Sequence, residues 1–246
     1  MASLWSYWRR GGEPVQKFDT VGGGLTYAME LTKRRPVVSL TGQGADTGTL
    51  RIELSWRMHG TDIGSRRESV WRHPWKLFKP PEIQNHTQGL ANVDIDLACM
   101  YELADGTKGV VQPLGDLLGD FNAPPYIKLS GDDRFGTASG ETIYVNLDQK
   151  DQFKRLLVFA YIYDGVPVFA RANVVVTLVT SDGKNIEIGL TDPAPQSRSC
   201  AVALIEHHKG QLVARREVKY VYGFQSEIDR LYGWGMSWGR GYKSRV

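Results

Sequence analysis

Apolar and polar residues alternate along most of this chain with the period of two that marks β-strands. The clearest case is TLRIELSWRM, in which Leu50, Ile52, Leu54, Trp56 and Met58 face one way and Arg51, Glu53, Ser55 and Arg57 face the other. VDIDLACMYEL repeats the pattern, with Val93, Ile95, Leu97, Cys99, Tyr101 and Leu103 on one face. Shorter strand patterns occur in LTYAMEL, VVSLT, YIKL and TIYVNL, and longer ones in FKRLLVFAYIYDG and in the stretches around NVVVTLV and SCAVALI. Turn signals divide these strands. ADG, SDG and HKG, each closing on glycine, sit between strand patterns and predict hairpins. Only QSEIDRLYG (225–233) has a helical spacing, with Ser226 in position to cap it. Ten or more strands with almost no helix between them predict an all-β fold, a β-sandwich of two antiparallel sheets with a short C-terminal helix. A closed barrel is the alternative.

Two stretches break the pattern. Residues 1–24 end in GGG, show no period, and are read as an N-terminal tail before a domain spanning 25–246. Residues 60–91 form a long unpatterned segment rich in proline, tryptophan and basic side chains. Unstructured loops of this length are usually functional or mobile.

Composition adds limits. With 41% hydrophobic and 23% charged residues, the chain is an ordinary globular protein able to bury a full core. No apolar run approaches the roughly 20 residues of a membrane-spanning helix, and the N-terminus lacks an apolar stretch of signal-peptide length. The two cysteines, Cys99 and Cys200, both fall in apolar strand patterns and read as buried thiols. A cytoplasmic protein without disulfides is the expectation. A net charge of +3 is too small to imply nucleic-acid binding, so none is expected.

The chemistry worth explaining lies on the second face of VDIDLACMYEL, which opens with Asp94 and Asp96. Side chains two apart on a strand point the same way, roughly 7 Å from each other, and aspartate is a poor strand former. A cation between such carboxylates removes their repulsion. Calcium, which takes six to eight oxygens in loose geometry, suits an all-oxygen set. The segment SGDDRFGTASGE (130–141) holds further carboxylates at Asp132, Asp133 and Glu141, among glycines that let a loop curl its carbonyls inward. It does not have the ligand spacing of an EF-hand. The pattern alone also fits a plainer arrangement, a solvated acidic turn beside a strand end that faces water.

Several motifs, in order, resemble those of the TerD-domain family of tellurite-resistance and stress proteins, most closely its TerA-like branch. ELTKRRPVVSLT is similar to the family's opening pair of short strands, and LRIELSW to its next strand. VDIDLACMYEL resembles the Asp-x-Asp-Leu strand, and APPYIKLSGDDRFG the glycine-aspartate loop that follows. LVFAYIYDGVPVFA and VKYVYGFQSEIDRLYGWGMSW look TerA-like. The resemblance implies a β-sandwich that binds one or two calcium ions. Asp94 and Asp96 fall on the first motif and Asp132 and Asp133 on the second. The family's loop continues with several acidic residues, whereas TASGE leaves Glu141 alone there. Also implied is a role in tellurite resistance and stress response, as a binding or scaffold module among other tellurite-resistance and stress proteins, in a complex near the inner face of the membrane.

No enzymatic signature competes. There is no Gly-x-Ser-x-Gly elbow and no Walker loop. Paired carboxylates serve glycosidases, but those face each other across a cleft rather than standing two apart on one strand. A non-enzymatic protein with no small-molecule substrate is therefore expected. The basic stretch GSRRESVWRHPWKLFK (64–79) presents Arg66, Arg67, Trp71, Arg72 and Trp75. It admits three readings: a loop that packs its tryptophans back on the sheet, an anchor for a partner protein, or a contact for an anionic membrane or nucleic acid. Two other function classes stay open, a calcium-dependent membrane-docking module and a carbohydrate-active or lectin-like sandwich.

Overall fold

The computed structural model describes residues 16–21, 24–56, 93–130, 141–164, 169–170, 172–194 and 196–239. In chain order the strands are β1 (Gln16–Val21), β2 (Gly24–Glu30), β3 (Val37–Ser39), β4 (Thr49–Ser55), β5 (Asp94–Leu103), β6 (Lys108–Val111) and β7 (Gly119–Asp120). They continue with β8 (Ile127–Leu129), β9 (Glu141–Asn146), β10 (Phe153–Asp164), β11 (Val175–Val179), β12 (Asn185–Gly189), β13 (Ser199–His208) and β14 (Gln211–Val221). A single α-helix, α1 (Gln225–Tyr232), closes the described chain.

The strands form two sheets. One runs β1-β2-β12-β11-β4-β9-β8-β7 and the other β3-β14-β13-β10-β5-β6. Every pairing among the described residues is antiparallel except β2 with β12. The expected sandwich is therefore present, with one parallel join in its larger sheet. Gln16–Val21, inside the stretch without a period, forms a hairpin with β2. The three glycine turns join the strands they were expected to join: β5 to β6, β11 to β12, and β13 to β14.

Alternation sets what lies between the sheets. Leu50, Ile52 and Leu54 of β4 meet Ile95, Leu97 and Cys99 of β5 in one core, and Trp56 and Tyr101 pack against its margin. The second face of β5 behaves differently from a wetted face. Ala98 and Met100 join Leu157, Phe159 and Tyr161 of β10, Ala201 and Leu204 of β13, and Ile228 and Trp234 in a second core outside the six-stranded sheet. Helix α1 and the segment after it cover this face.

A set of polar contacts holds that cover down. The Arg155 guanidinium stacks 3.8 Å from the Trp234 ring and donates to the Tyr232 carbonyl at 3.1 Å. Lys108 donates to the Trp234 carbonyl at 2.8 Å, and the Trp234 indole N–H donates to the Tyr101 carbonyl at 3.0 Å. Cations at the C-terminal end of α1 also complement its dipole. Asp229 accepts from the backbone N–H groups of Gly235 and Met236 and from the Trp238 indole, which folds the chain back after the left-handed Gly233. Ser226 is not the cap expected of it. The N-cap position is Phe224, and Ser226 lies inside the helix.

Glu102, 4% exposed, anchors the cluster from β5. It accepts from Lys154 and from Arg155 Nε, each at 2.6 Å. Burial opposes its ionisation, but the hydrogen bonds from Lys154 and Arg155 and the charges of Arg155 and Lys108 outweigh it, so its carboxyl titrates below the ordinary 4.5. A depressed folded value means that the contribution is whole above about pH 4.5 and is lost as pH falls through the folded value. Glu102→Gln is expected to lower stability at neutral pH by about 1–3 kcal/mol. In thermal melts across pH, the gap from the wild type should close on acidification; a gap independent of pH would show that the ion pair contributes nothing.

Candidate functional site

Three of the sequence-predicted acidic residues, Asp94, Asp96 and Glu141, lie at one end of the sandwich, where the first residues of β5 and β9 come together. Asp94 and Asp96 lie on the outer face of β5, in phase with Ala98 and Met100. That face is not solvated at Asp96, which is 0% exposed, and Asp94 is half-buried. The water-facing strand end allowed by the pattern holds in part at Asp94, which stands opposite the exposed Asp164, and fails at Asp96, where β10 lies alongside and the second core continues up to this point.

Glu141, also 0% exposed, begins β9 in the opposite sheet, on the same face as the core residues Ile143 and Val145. Its carboxylate crosses to β5 and accepts the Leu97 N–H at 2.5 Å. The reason is topological. Strand β6 pairs with β5 only from Cys99 to Glu102, so the edge nearer Asp94 has no strand beside it among the described residues. A buried backbone N–H needs an acceptor, and Glu141 supplies one from the other sheet. The side chain expected to close the 130–141 loop therefore also ties the two sheets together.

Two neighbours of the site were not visible from spacing. In register with β10, Asp94 stands opposite Asp164 and Asp96 opposite Tyr161. Directly opposed cross-strand side chains lie about 5 Å apart at Cβ, and like charges there repel. The Tyr161 side chain is wholly buried. Among the described residues its buried hydroxyl closes no hydrogen bond of full geometry. Burial pushes the Tyr161 pKa up, and so do the negative charges of Asp96, Glu141 and Asp94 and the contact with Asp96. The three candidate carboxylates among the described residues are thus each near enough to raise the Tyr161 pKa. What could have flagged Tyr161 is its polar hydroxyl within the otherwise apolar LLVFAYI run; its partner depends on a register that one strand does not reveal.

The donor chemistry fits a hard cation, since each of these groups offers oxygen only. The described residues do not complete a ligand set: no three His, Cys, Asp or Glu among them are grouped to hold a metal ion. Asp132 and Asp133, expected to supply further ligands, lie outside the described residues, as do Arg66, Arg67, Trp71, Arg72 and Trp75 of the basic segment. No helix among the described residues is long and apolar enough to cross a membrane.

Both thiols are buried, as expected. Burial pushes the Cys99 thiol up to about 12, partly offset by a backbone hydrogen bond from Leu157. Burial raises Cys200 as well, with Arg216 opposing and Asp192 adding to the effect.

No family model matches the chain. The chain is 34% identical over 216 residues to a protein named tellurium resistance protein TerA from Alcaligenes sp.. The alignment takes in 87% of this chain and 58% of that relative, so the chain spans somewhat more than half of the relative's length. Over most of its own length the chain is thus similar to a protein named for tellurium resistance.

Proposed function

We propose that the chain is a TerD-like, calcium-binding module that serves tellurite resistance and stress response by binding other proteins rather than by catalysis. The observation that supports this reading most is that Asp94 and Asp96 of β5 and Glu141 of β9 lie at the same end of the sandwich, with Asp96 and Glu141 wholly buried. Burying a charge is costly unless it is compensated, and a divalent cation would compensate several carboxylates at once. Asp132 and Asp133 would complete the set from the loop that enters β9 at Glu141. Bound calcium would neutralise the cluster, order that loop, and so form a surface for partner proteins in the cytoplasm or at the inner membrane face. The buried, high-pKa thiols support a role other than direct reduction of tellurite, because the thiolate is the reactive form.

The test compares cells that depend on this chain for growth on tellurite, carrying either wild type or Asp94→Asn/Asp96→Asn. The double variant should lose protection at unchanged protein level, and proteins captured on the wild type should elute with a calcium chelator. Full protection by the variant, with chelator-resistant capture, would remove the reading.

A second reading, carbohydrate binding, draws on exposed aromatic residues at the same sheet end. Tyr163 (39% exposed) precedes Asp164, and Tyr222 (73%) follows Val221, in the row Asp96–Tyr161–Ser199–Val221. Calcium-dependent signals on a glycan array would favour it; an inert array would dismiss it.

A further inference from the structure

We propose that the Asp192 carboxylate, held between Lys33 and Arg216 at the side of the sandwich, occupies a binding site for a small oxyanion. The site owes nothing to calcium and shares no residue with the acidic end. Arg216 lies on the inner face of β14: it stands opposite Ala203, and its neighbours in alternation, Ala214 and Val218, belong to the core between the sheets. Its side chain is 10% exposed. A guanidinium in such a place needs a counter-charge and acceptors for its N–H groups. The carboxylate it faces is Asp192, in the chain that follows β12 of the other sheet. Arg216 Nη2 is 3.8 Å from Asp192 Oδ2, an ion pair beyond hydrogen-bond reach. The other Asp192 oxygen accepts from Lys33 at 2.9 Å. Among the described residues the Arg216 charge is thus balanced, while its side-chain donors complete no hydrogen bond.

The backbone brings these groups together. Thr32 and Arg35 exchange hydrogen bonds of 3.2 and 3.1 Å, so Lys33 and Arg34 form the tip of a tight turn between β2 and β3. The Arg216 N–H donates to the Pro36 carbonyl at 2.6 Å, which seats that turn beside β14. Lys33, Arg34, Arg35 and Arg216 are thereby gathered, and Asp192 is the one carboxylate that pairs with any of them among the described residues. A local excess of positive charge draws anions. Arginine and lysine that converge on a carboxylate also suit phosphate and kindred oxyanions, whose several oxygens accept more donors at once. Tyr220 shares the inner face of β14, opposite Cys200, and its buried hydroxyl closes no hydrogen bond of full geometry among the described residues. Asp192, 29% exposed, can swing out into water as an oxyanion enters.

The experiment titrates calcium-free protein calorimetrically with sodium phosphate, sodium tellurite and, at matched ionic strength, sodium chloride, using wild type, Lys33→Gln, Arg216→Gln and Asp192→Asn. Circular dichroism checks each fold. Wild type should take up one oxyanion per chain from at least one of the two oxyanion salts and ignore chloride. Asp192→Asn, relieved of its internal competitor, should bind about 10-fold tighter, and the two cation variants about 10-fold weaker or more, as expected for the loss of a hydrogen bond to a charged group. Without oxyanion, Asp192→Asn should melt lower than wild type, because a buried charge has lost its counter-ion, and the bound salt should restore it. Lys33 is 72% exposed, so its variant reports on binding even where Arg216→Gln does not fold. No uptake by the wild type would overturn the assignment, as would uptake that the cation variants leave unchanged. An Asp192→Asn protein that melts lower with and without oxyanion would do the same, showing an ion pair that only joins the sheets.

Discussion

Trp234→Ala will destabilise the protein by about 3–5 kcal/mol, the range for deleting a large aromatic from a packed core. Trp234 is 1% exposed and fills the second core between α1 and the outer face of β5 and β10. Its loss leaves a cavity, frees the Tyr101 carbonyl of its indole donor, and takes the stacking surface from Arg155. In a protein of this size the midpoint of thermal unfolding should fall by roughly 10 °C. Helix α1 should loosen as well, because Arg155 and Lys108 grip carbonyls on either side of this ring. That would expose Met100, Leu157 and Phe159, an apolar patch prone to association. Trp234→Phe, which keeps most of the volume but not the indole N–H, should cost less. Urea unfolding of the two variants measures both effects. A loss below about 1 kcal/mol in Trp234→Ala would mean that the outer core does not hold the helix.

The second large effect concerns calcium. A ligand that binds only the folded state, present at a hundredfold excess over its Kd, adds about 2.7 kcal/mol of stability. Wild type should show such a rise on addition of calcium to metal-stripped protein. Asp96→Asn should show none, since it removes a wholly buried carboxylate on which the proposed site depends. The same change relieves repulsion among the carboxylates, so the calcium-free variant should melt no lower than the calcium-free wild type. This pairing of signs separates a cation site from a structural aspartate, whose loss would destabilise the protein with or without calcium. Thermal melts with calcium and with chelator read both signs in one experiment.

Much of the fold was legible because strand alternation is local. Leu50, Ile52 and Leu54 announce their face within seven residues, and Asp105-Gly106 announces its hairpin. The second core was not read, because Ala98 and Met100 looked like positions on the far side of a one-sided strand. The signal was there in LLVFAYI and SCAVALI, where neither face is polar, as expected of strands covered on both sides. The parallel join of β2 to β12 had no local sign at all, since the two are separated by most of the chain. At the site, the carboxylates could be named from spacing and family resemblance. Their surroundings could not: Tyr161 and Asp164 enter only through the β5–β10 register, and Glu141 reaches Leu97 only because β6 is short.

The most direct measurement is a calorimetric titration of calcium into metal-stripped protein, with Asp96→Asn beside it. Heat that saturates at one or two ions per chain in the wild type, and vanishes in the variant, is the result this account predicts. A folded, metal-stripped wild type that releases no heat and takes up no calcium would contradict it.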